Sequence, residues 1–112
     1  MTDFVYFITS DKIGSQDTEL GARLMSTFFL KLVQANRLPS HILFMERGVK
    51  LLLPESPSLD AIKVLEGRGV EMPACQTCLD YYGIREKIGA GKVSNMLDII
   101  EVMQGAGKVI HL

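Results

Sequence analysis

Residues 4–8 of the chain read FVYFI, a continuous run of β-branched and aromatic side chains. A strand with one solvated face alternates apolar and polar residues, whereas a strand buried on both faces does not. The run therefore predicts a strand inside a parallel sheet that is covered on both sides. A helix is expected next, because apolar residues then recur at steps of three and four. These residues are Leu20, Leu24, Met25, Phe28, Phe29 and Leu32.

The same order of elements continues along the chain. Residues 41–45 read HILFM and predict a second buried strand. A turn follows, in which Ser56 is expected as a helix N-cap and Pro57 as the first helical residue. Helical spacing then extends over residues 59–67. Two successive strand-helix units are therefore predicted in the first part of the chain.

The second part of the chain completes the predicted sheet. A third strand is expected at residues 70–74, with Pro73 marking its carboxyl end because proline cannot donate a backbone hydrogen bond. Residues 96–103 are apolar around the whole circumference of a helix, which predicts a largely buried helix. Residues 108–112 form a final short strand. Strands alternating with helices predict an α/β fold, a three-layer sandwich around a mostly parallel sheet of about five strands.

Length and composition limit the classes of protein that fit. The 112 residues suffice for one compact domain, taken as 1–112. Twelve basic and thirteen acidic side chains give no attraction to a phosphate backbone or anionic lipid, so neither nucleic acid nor a membrane is expected as a partner. The first residues lack a signal-peptide pattern, which favours the cytoplasm. The apolar fraction of 47% favours a homo-oligomer that covers exposed apolar surface.

Cys75 and Cys78 are the predicted centre of any chemistry. They enclose the sequence CQTC at the point where the third strand should give way to a helix. The amide groups and partial positive charge of a helix start favour the thiolate, which is the nucleophilic form of cysteine. Sites of open parallel sheets form beyond the carboxyl ends of the strands. The segments that meet this condition are residues 9–17, 46–50 and 74–80.

Other interpretations of the cysteine pair stay open at this point. Both residues could be small buried side chains without a chemical role. A C-x-x-C pair beside βαβ signals is also the motif of thioredoxin-like dithiols, although those usually carry it after an earlier strand. A closed zinc site needs four ligands, and the remaining donors His41 and His111 are spaced unlike a zinc finger. We therefore expect no bound metal.

Several residues near the same edge are candidates for a supporting role. The segment 11–17 lies where an α/β protein could bind a phosphate or flavin, but it contains two acidic residues and one glycine, so no cofactor is expected. Gly48 is expected to permit a sharp turn or a close approach of the backbone. The tyrosines could shield a reactive sulfur from water or offer a hydroxyl. The other site-adjacent candidates are Asp11, Thr77, Tyr81 and Tyr82.

Residues 10–21, 24–30, 48–51 and 75–83 resemble corresponding blocks of the DsrE/DsrF family. The likeness is strongest to the C-terminal half of YedF-like proteins, which are described as sulfurtransferase-like and associated with selenium metabolism. Its most specific block is CQTCLDYYG at residues 75–83. The resemblance implies a single DsrE/flavodoxin-like domain that forms homo-oligomers or joins larger sulfur-relay assemblies.

The resemblance also implies a role for each cysteine. In sulfur-carrying relatives, a cysteine eight residues before a glycine accepts sulfane sulfur as a persulfide, and Cys75 stands in that relation to Gly83. Cys75 is therefore expected to carry the sulfur, with Cys78 as a resolving thiol. The 112 residues lack the TusA-like domain of YedF-like proteins, so the sulfur donor and acceptor are expected to be separate proteins, a TusA-like carrier among them. The alternatives are a non-catalytic oligomeric binding or scaffold subunit and a dithiol redox protein.

Overall fold

The structure, a computed structural model, describes residues 4–112. Residues 1–3, which belong to the segment where no signal peptide is expected, lie outside the described residues. Five strands form one sheet in the order β4-β3-β2-β1-β5, and every neighbouring pair is parallel. The strands are β1 Phe4–Ile8, β2 His41–Phe44, β3 Pro73–Cys75, β4 Lys92–Ser94 and β5 Lys108–His111. The helices are α1 Thr18–Leu32, α2 Leu59–Gly67, α3 Gln76–Tyr81 and α4 Met96–Gly105, with a 3-10 helix at Glu46–Leu52.

Helices cover both faces of the sheet, because successive side chains of a strand point to opposite sides. Ile8 and Phe44 point to one side, the α1 face, where they pack in a core that includes Phe29 of α1. Val5 and Leu43 point to the other side, the α4 face, where they pack with Ile99 of α4. The predicted α/β fold with helices on both sides of a parallel sheet is confirmed.

Helix α1 forms where the periodicity predicts it, but Leu20 and Leu24 of the predicted apolar face are exposed. Asp17 is its N-cap, and the carboxylate accepts a hydrogen bond from the N–H of Leu20 at 2.9 Å. Met25, Phe29 and Leu32 are buried. Each such side chain contributes about 1.5–3 kcal/mol when it is fully removed from water. Helix α1 therefore anchors the α1 face of the sheet.

Helix α2 begins at Leu59, later than the sequence pattern predicts. The Oγ of Ser56 accepts a hydrogen bond from the N–H of Ser58 at 3.1 Å, which closes a turn ahead of the helix. Ser58 occupies the N-cap position but makes no capping side-chain hydrogen bond. The prediction of Ser56 as N-cap and Pro57 as first helical residue is therefore wrong. A serine hydroxyl that bonds a nearby amide competes with helix formation.

Strand β3 is displaced towards the cysteines relative to its predicted position. Pro73 is its first residue rather than its carboxyl end. A proline is tolerated there because a strand's first residue can lack a ladder donor. Glu71, in the predicted strand, forms only an isolated bridge with His41. Cys75 consequently becomes the last residue of the strand, paired with Ser94 of β4.

Helix α4 differs from its prediction of near-complete burial. Only Ile99 is fully buried, while Met96, Leu97 and Ile100 are exposed. One stripe of the helix packs on the sheet, and its outer side is uncovered by the residues that the structure describes. The prediction that this helix is largely buried is therefore wrong for a single copy of the chain. Within residues 4–112, no helix is long and apolar enough to cross a membrane.

Candidate functional site

The three predicted site segments meet at one edge of the sheet, because the carboxyl ends of parallel strands lie together. The segment 9–17 follows β1, the 3-10 helix Glu46–Leu52 follows β2, and α3 follows β3. The segment 46–50 is therefore part of a 3-10 helix. Cys78 of α3 packs against the cores on both faces of the sheet. The site thus lies at the carboxyl edge of the sheet, between the helices that cover its two faces.

Cys75 ends β3 and points to the α4 face. It is 1% exposed and packs in one apolar cluster with Val5, Leu43 and Ile99. None of the described amides in the first turn of α3 donates a capping hydrogen bond to its sulfur. Helix α3 has only six residues, so the partial charge at its start is small. The sulfur of Cys75 is consequently enclosed by hydrocarbon rather than held in a pocket of amide donors.

Cys78 lies one helical turn further on and is half-buried. Its Sγ accepts a hydrogen bond from the backbone N–H of Glu46 at 3.1 Å. Glu46 has a φ of 53°, a left-handed conformation that non-glycine residues rarely adopt. The turn after β2 is held in this conformation, and it aims an amide at the sulfur. The amide donor to the site therefore comes from the turn after β2, rather than from the helix start that the sequence predicts, and it serves Cys78.

The environment of Cys78 favours the thiol over the thiolate. Burial raises its pKa most, the Glu46 amide acts against this by favouring the thiolate, and the Cys75 thiol and the Glu46 carboxylate raise it further. The pKa of Cys78 is therefore above that of an ordinary cysteine. Both cysteines are free thiols. Since the thiolate is the nucleophile, the reactivity of Cys78 should increase as the pH rises above neutrality.

Gly48 fixes the 3-10 helix against the end of β1. A Cβ at this position would overlap the carbonyl oxygen of Ile8 and lie 3.0 Å from its carbonyl carbon. The same carbonyl oxygen accepts a hydrogen bond from Met45 N–H at 3.0 Å, and Gly48 N–H donates to the Met45 carbonyl at 2.9 Å. The predicted close approach at Gly48 is confirmed. Gly48 positions the turn that presents the Glu46 amide to Cys78.

Asp11 joins the loop after β1 to the 3-10 helix. Its carboxylate pairs with Arg47 at 3.4 Å and with Lys12 at 3.3 Å. Burial alone would raise the pKa of Asp11, but the hydrogen bonds and charges of Arg47 and Lys12 outweigh it and leave the pKa below its usual range. Asp11, a candidate from the sequence, therefore links the loop after β1 to the 3-10 helix by its ion pair with Arg47.

The aromatic candidates occupy the mouth of the site. Tyr81 is 82% exposed, and its ring stands edge-on to that of Tyr82 with 5.3 Å between centroids. Tyr82 is half-buried and packs against the α1-face core, and the Lys50 Nζ lies 4.4 Å from its ring centroid. Thr77 is exposed on α3 between the two cysteines. Tyr82 lies close enough to Cys78 and Glu46 for their charges to act on it, whereas the exposed Tyr81 side chain does not shield the cysteines from water.

A cavity of about 430 Å³ opens beside the site and was not predicted from the sequence. Its apolar wall includes Met25 and Tyr82. Its polar wall contains two lysines, two carboxylates and two serines, namely Lys12, Lys50, Asp11, Glu55, Ser56 and Ser58. Neither cysteine lines it. The residues that line the cavity come from four separate segments of the chain and share no sequence motif. The only sequence signal for the cavity is the presence of charged residues after the strands.

Two of the cations that follow the cysteines in the chain, Arg85 and Lys92, are paired with carboxylates. Arg85 binds the Asp80 carboxylate through two hydrogen bonds of 2.7 Å, and Lys92 pairs with Glu71 at 3.6 Å. The described residues contain no group of three or more histidine, cysteine or acidic side chains arranged to hold a metal ion. The nucleophilic groups described at this edge of the sheet are the two free thiols.

Together, the fold and the site define an α/β protein with a thiol pair at the carboxyl edge of an all-parallel sheet. Residues 4–112 match the DsrE/DsrF-like family, and the chain belongs to that family. The resemblance noted from the cysteine block is thereby confirmed. Membership suggests a role in sulfur relay or sulfur transfer in general terms.

Three solved structures share the fold over almost their whole lengths. The YchN protein from E. coli has a TM-score of 0.73 at 19% identity, with 100% of both chains covered. MTH1491 from Methanobacterium thermoautotrophicum, a protein of unknown function, has a TM-score of 0.68 at 22% identity, again with 100% of both chains covered. BT1422 from Bacteroides thetaiotaomicron, also of unknown function, has a TM-score of 0.63 at 15% identity and covers 98% of this chain and 95% of its own. No curated protein matches the chain. At these identities the structures establish the fold alone.

Proposed function

We propose that the chain is a sulfur-relay protein that carries sulfane sulfur as a persulfide on Cys75 and passes it to a partner. The observation that supports this most is the pairing of two free thiols at the site edge of the sheet. One of them, Cys78, accepts an amide hydrogen bond from Glu46. Membership in the DsrE/DsrF-like family supports the same class of chemistry.

The loading reaction needs no oxidant. A cysteine thiolate attacks the terminal sulfur of a donor persulfide, so that a new S–S bond forms at the cysteine. The S–S bond of the donor breaks, and the donor leaves as a thiolate with the bonding electron pair. Delivery is the same step in reverse, with an acceptor thiolate as the nucleophile. Such exchanges depend on the thiolate fraction of the attacking group and on access to the sulfur.

The surroundings of Cys75 suit storage of the sulfur. A persulfide exposed to solvent is open to reductants and other nucleophiles, whereas Cys75 is enclosed by apolar side chains and 1% exposed. The contact with Cys78 supplies a neighbouring thiol. We therefore retain Cys75 as the proposed carrier, with Cys78 as its partner thiol.

The test is to load the protein with glutathione persulfide and measure its intact mass. We expect the wild type to gain one sulfur atom and the Cys75→Ala Cys78→Ser double variant to gain none. Alanine is preferred at position 75 because a serine hydroxyl there would be buried among hydrocarbon. A wild type that gains no sulfur would refute the proposed function. A gain that persists in the double variant would show that the sulfur is bound elsewhere.

The burial of Cys75 and the raised pKa of Cys78 favour a second candidate, a non-catalytic oligomeric binding or scaffold subunit. Alkylation kinetics separate the candidates. Slow labelling of both thiols at neutral and mildly alkaline pH supports the scaffold, and labelling of one thiol that accelerates with pH supports the relay. A third candidate, a dithiol redox protein, requires a reversible disulfide between Cys75 and Cys78 with a measurable midpoint potential.

We further propose the setting in which the relay operates. Donor and acceptor are separate proteins, with a TusA-like carrier as one candidate, and the location is the cytoplasm. The exposed apolar residues Leu97 and Ile100 of α4 and Val109 of β5 support self-association into a homo-oligomer. The link to selenium metabolism that the resemblance implies stays a prediction.

A further inference from the structure

The second cysteine of the pair is more accessible to solvent than the first. Cys75, the first, is 1% exposed and packed against Val5, Leu43 and Ile99. Cys78, the second, is half-buried and lies one turn further into α3, beside the exposed Tyr81. A donor that approaches the carboxyl edge of the sheet can reach the sulfur of Cys78 without moving the core. It can reach the sulfur of Cys75 only if α3 or α4 moves away.

The two thiols are nevertheless coupled. The Cys75 side chain raises the pKa of Cys78, which shows that the two groups interact. Cys78 also packs against the apolar cluster that contains Cys75. The Glu46 amide approaches the Cys78 sulfur at 3.1 Å. Among the residues that the structure describes, no capping amide at the start of α3 approaches the Cys75 sulfur.

We propose that sulfane sulfur enters the protein at Cys78 and is then transferred internally to Cys75. This inference rests on the proposed persulfide function and adds the order in which the two cysteines act. Cys78 is the loading thiol that meets the donor, and Cys75 is the protected storage thiol. The backbone amide of Glu46 is the positioning group for the loading thiol.

Two balanced steps describe the transfer. In the first, the Cys78 thiolate attacks the terminal sulfur of the donor persulfide; the Cys78–sulfur bond forms, the donor S–S bond breaks, and the donor departs as a thiolate. In the second, Cys75 attacks the same terminal sulfur while its proton passes to the departing Sγ of Cys78. A Cys75–sulfur bond forms and the Cys78–sulfur bond breaks. Neither step changes the total oxidation state, so no further reductant or oxidant is required.

The Glu46 amide helps in both steps for the same physical reason. A hydrogen bond to sulfur stabilises the Cys78 thiolate that attacks in the first step. It also stabilises the negative charge that develops on the Cys78 Sγ as it departs and takes up the proton in the second step. Cys75 lacks a capping amide from the described first turn of α3, and apolar side chains surround it. The apolar side chains around Cys75 keep solvent and other nucleophiles away from a stored sulfur, whereas the half-buried Cys78 offers less protection. The environments of the two sulfurs therefore favour movement from Cys78 to Cys75.

The order in which the two cysteines gain sulfur can be tested by time-resolved loading. The protein is mixed with glutathione persulfide, the reaction is quenched by alkylation at successive times, and peptide mapping locates the sulfur. In the wild type we expect sulfur first on Cys78 and later on Cys75. Cys78→Ser should load Cys75 slower by about tenfold or more, because the buried thiol must wait for local opening. Cys75→Ala should load Cys78 at least as fast as the wild type, because the loss of Cys75 lowers the pKa of Cys78. It should lose its sulfur to cyanide at least about tenfold faster than the loaded wild type, since exposed sulfur is attacked first.

The outcomes distinguish this inference from the proposed function. Sulfur that reaches Cys75 at an undiminished rate in Cys78→Ser, or that stays on Cys78 in the wild type, overturns the internal transfer and leaves the persulfide function intact. A wild type that never gains sulfur overturns both. Lys63→Gln, an exposed change on α2 outside the site, is the control and should load in the wild-type order. Circular dichroism on each variant verifies that the fold is retained.

Discussion

Replacement of Gly48 by alanine should both destabilise the protein and disturb the reactive sulfur. The added Cβ would overlap the Ile8 carbonyl oxygen and lie 3.3 Å from the Ile8 Cγ2, and the oxygen belongs to the backbone of β1, which cannot rotate away. Relief requires a shift of the 3-10 helix. Overpacking of this kind costs about 1–3 kcal/mol. For a domain of this length, that corresponds to a fall in melting temperature of about 4–13 °C.

The shift should also move the Glu46 amide away from the Cys78 sulfur, since Glu46 begins the same 3-10 helix. The assays are chemical denaturation and the rate of Cys78 alkylation as a function of pH. The matched control is Gly67→Ala, because Gly67 lies in helix α2 with nothing within 4 Å of an added Cβ. The control should gain stability, by about 0.5–1 kcal/mol, from the higher helix propensity of alanine. A Gly48→Ala protein with wild-type stability and an unchanged alkylation profile would refute the reasoning about this contact.

Three further predictions concern the site and the exposed helix. Cys75→Ala should lower the pKa of Cys78, because the Cys75 side chain raises that pKa. The pH midpoint of Cys78 alkylation should therefore fall. A midpoint that stays or rises contradicts the proposed contact between the thiols. Arg47→Met should raise the pKa of Asp11, measured by NMR titration, and cost at most about 1 kcal/mol near neutral pH. Because the folded-state pKa of Asp11 is lowered, this contribution is present above about pH 4 and is lost as the pH falls through the folded value, so an equal loss at pH 2 would contradict the assignment. Leu97→Lys on α4 should reduce self-association in analytical ultracentrifugation, whereas Gln104→Lys on the same helix should not; a wild type that is monomeric at every concentration would refute the oligomer prediction.

The sequence was sufficient for those parts of the fold that depend on long apolar patterns. Strand β1 and helix α1 follow directly from the FVYFI run and the helical spacing after it. The shorter elements depend on tertiary context. Lys92–Ser94 has three residues, too few for a periodic signal, and it becomes a strand because β3 offers a free edge. Pro73 was assigned to the wrong end of β3 because a missing N–H is tolerated at a strand's first residue as well.

The candidate site was predicted in position but not in detail. The thiol pair does lie at the carboxyl edge of the sheet, as strand order alone requires. The sequence could not indicate that Cys75 faces α4 and is sealed, since that depends on which residue ends the strand. Nor could it indicate that the nearest amide donor to Cys78 would come from Glu46, whose left-handed backbone follows from the packing of Gly48 on Ile8. Contacts between distant segments decided both points.

Strand β1 has a consequence for how the chain folds. Its residue Val5 pairs with His41 on one side and with Val109 on the other. The first pairing closes a much shorter loop than the second, and longer closures form more slowly. During refolding we therefore expect one edge of β1 to remain open until α4 has docked and β5 has arrived. In that interval the intermediate presents an unpaired edge to other molecules, so the yield of refolding should fall as protein concentration rises.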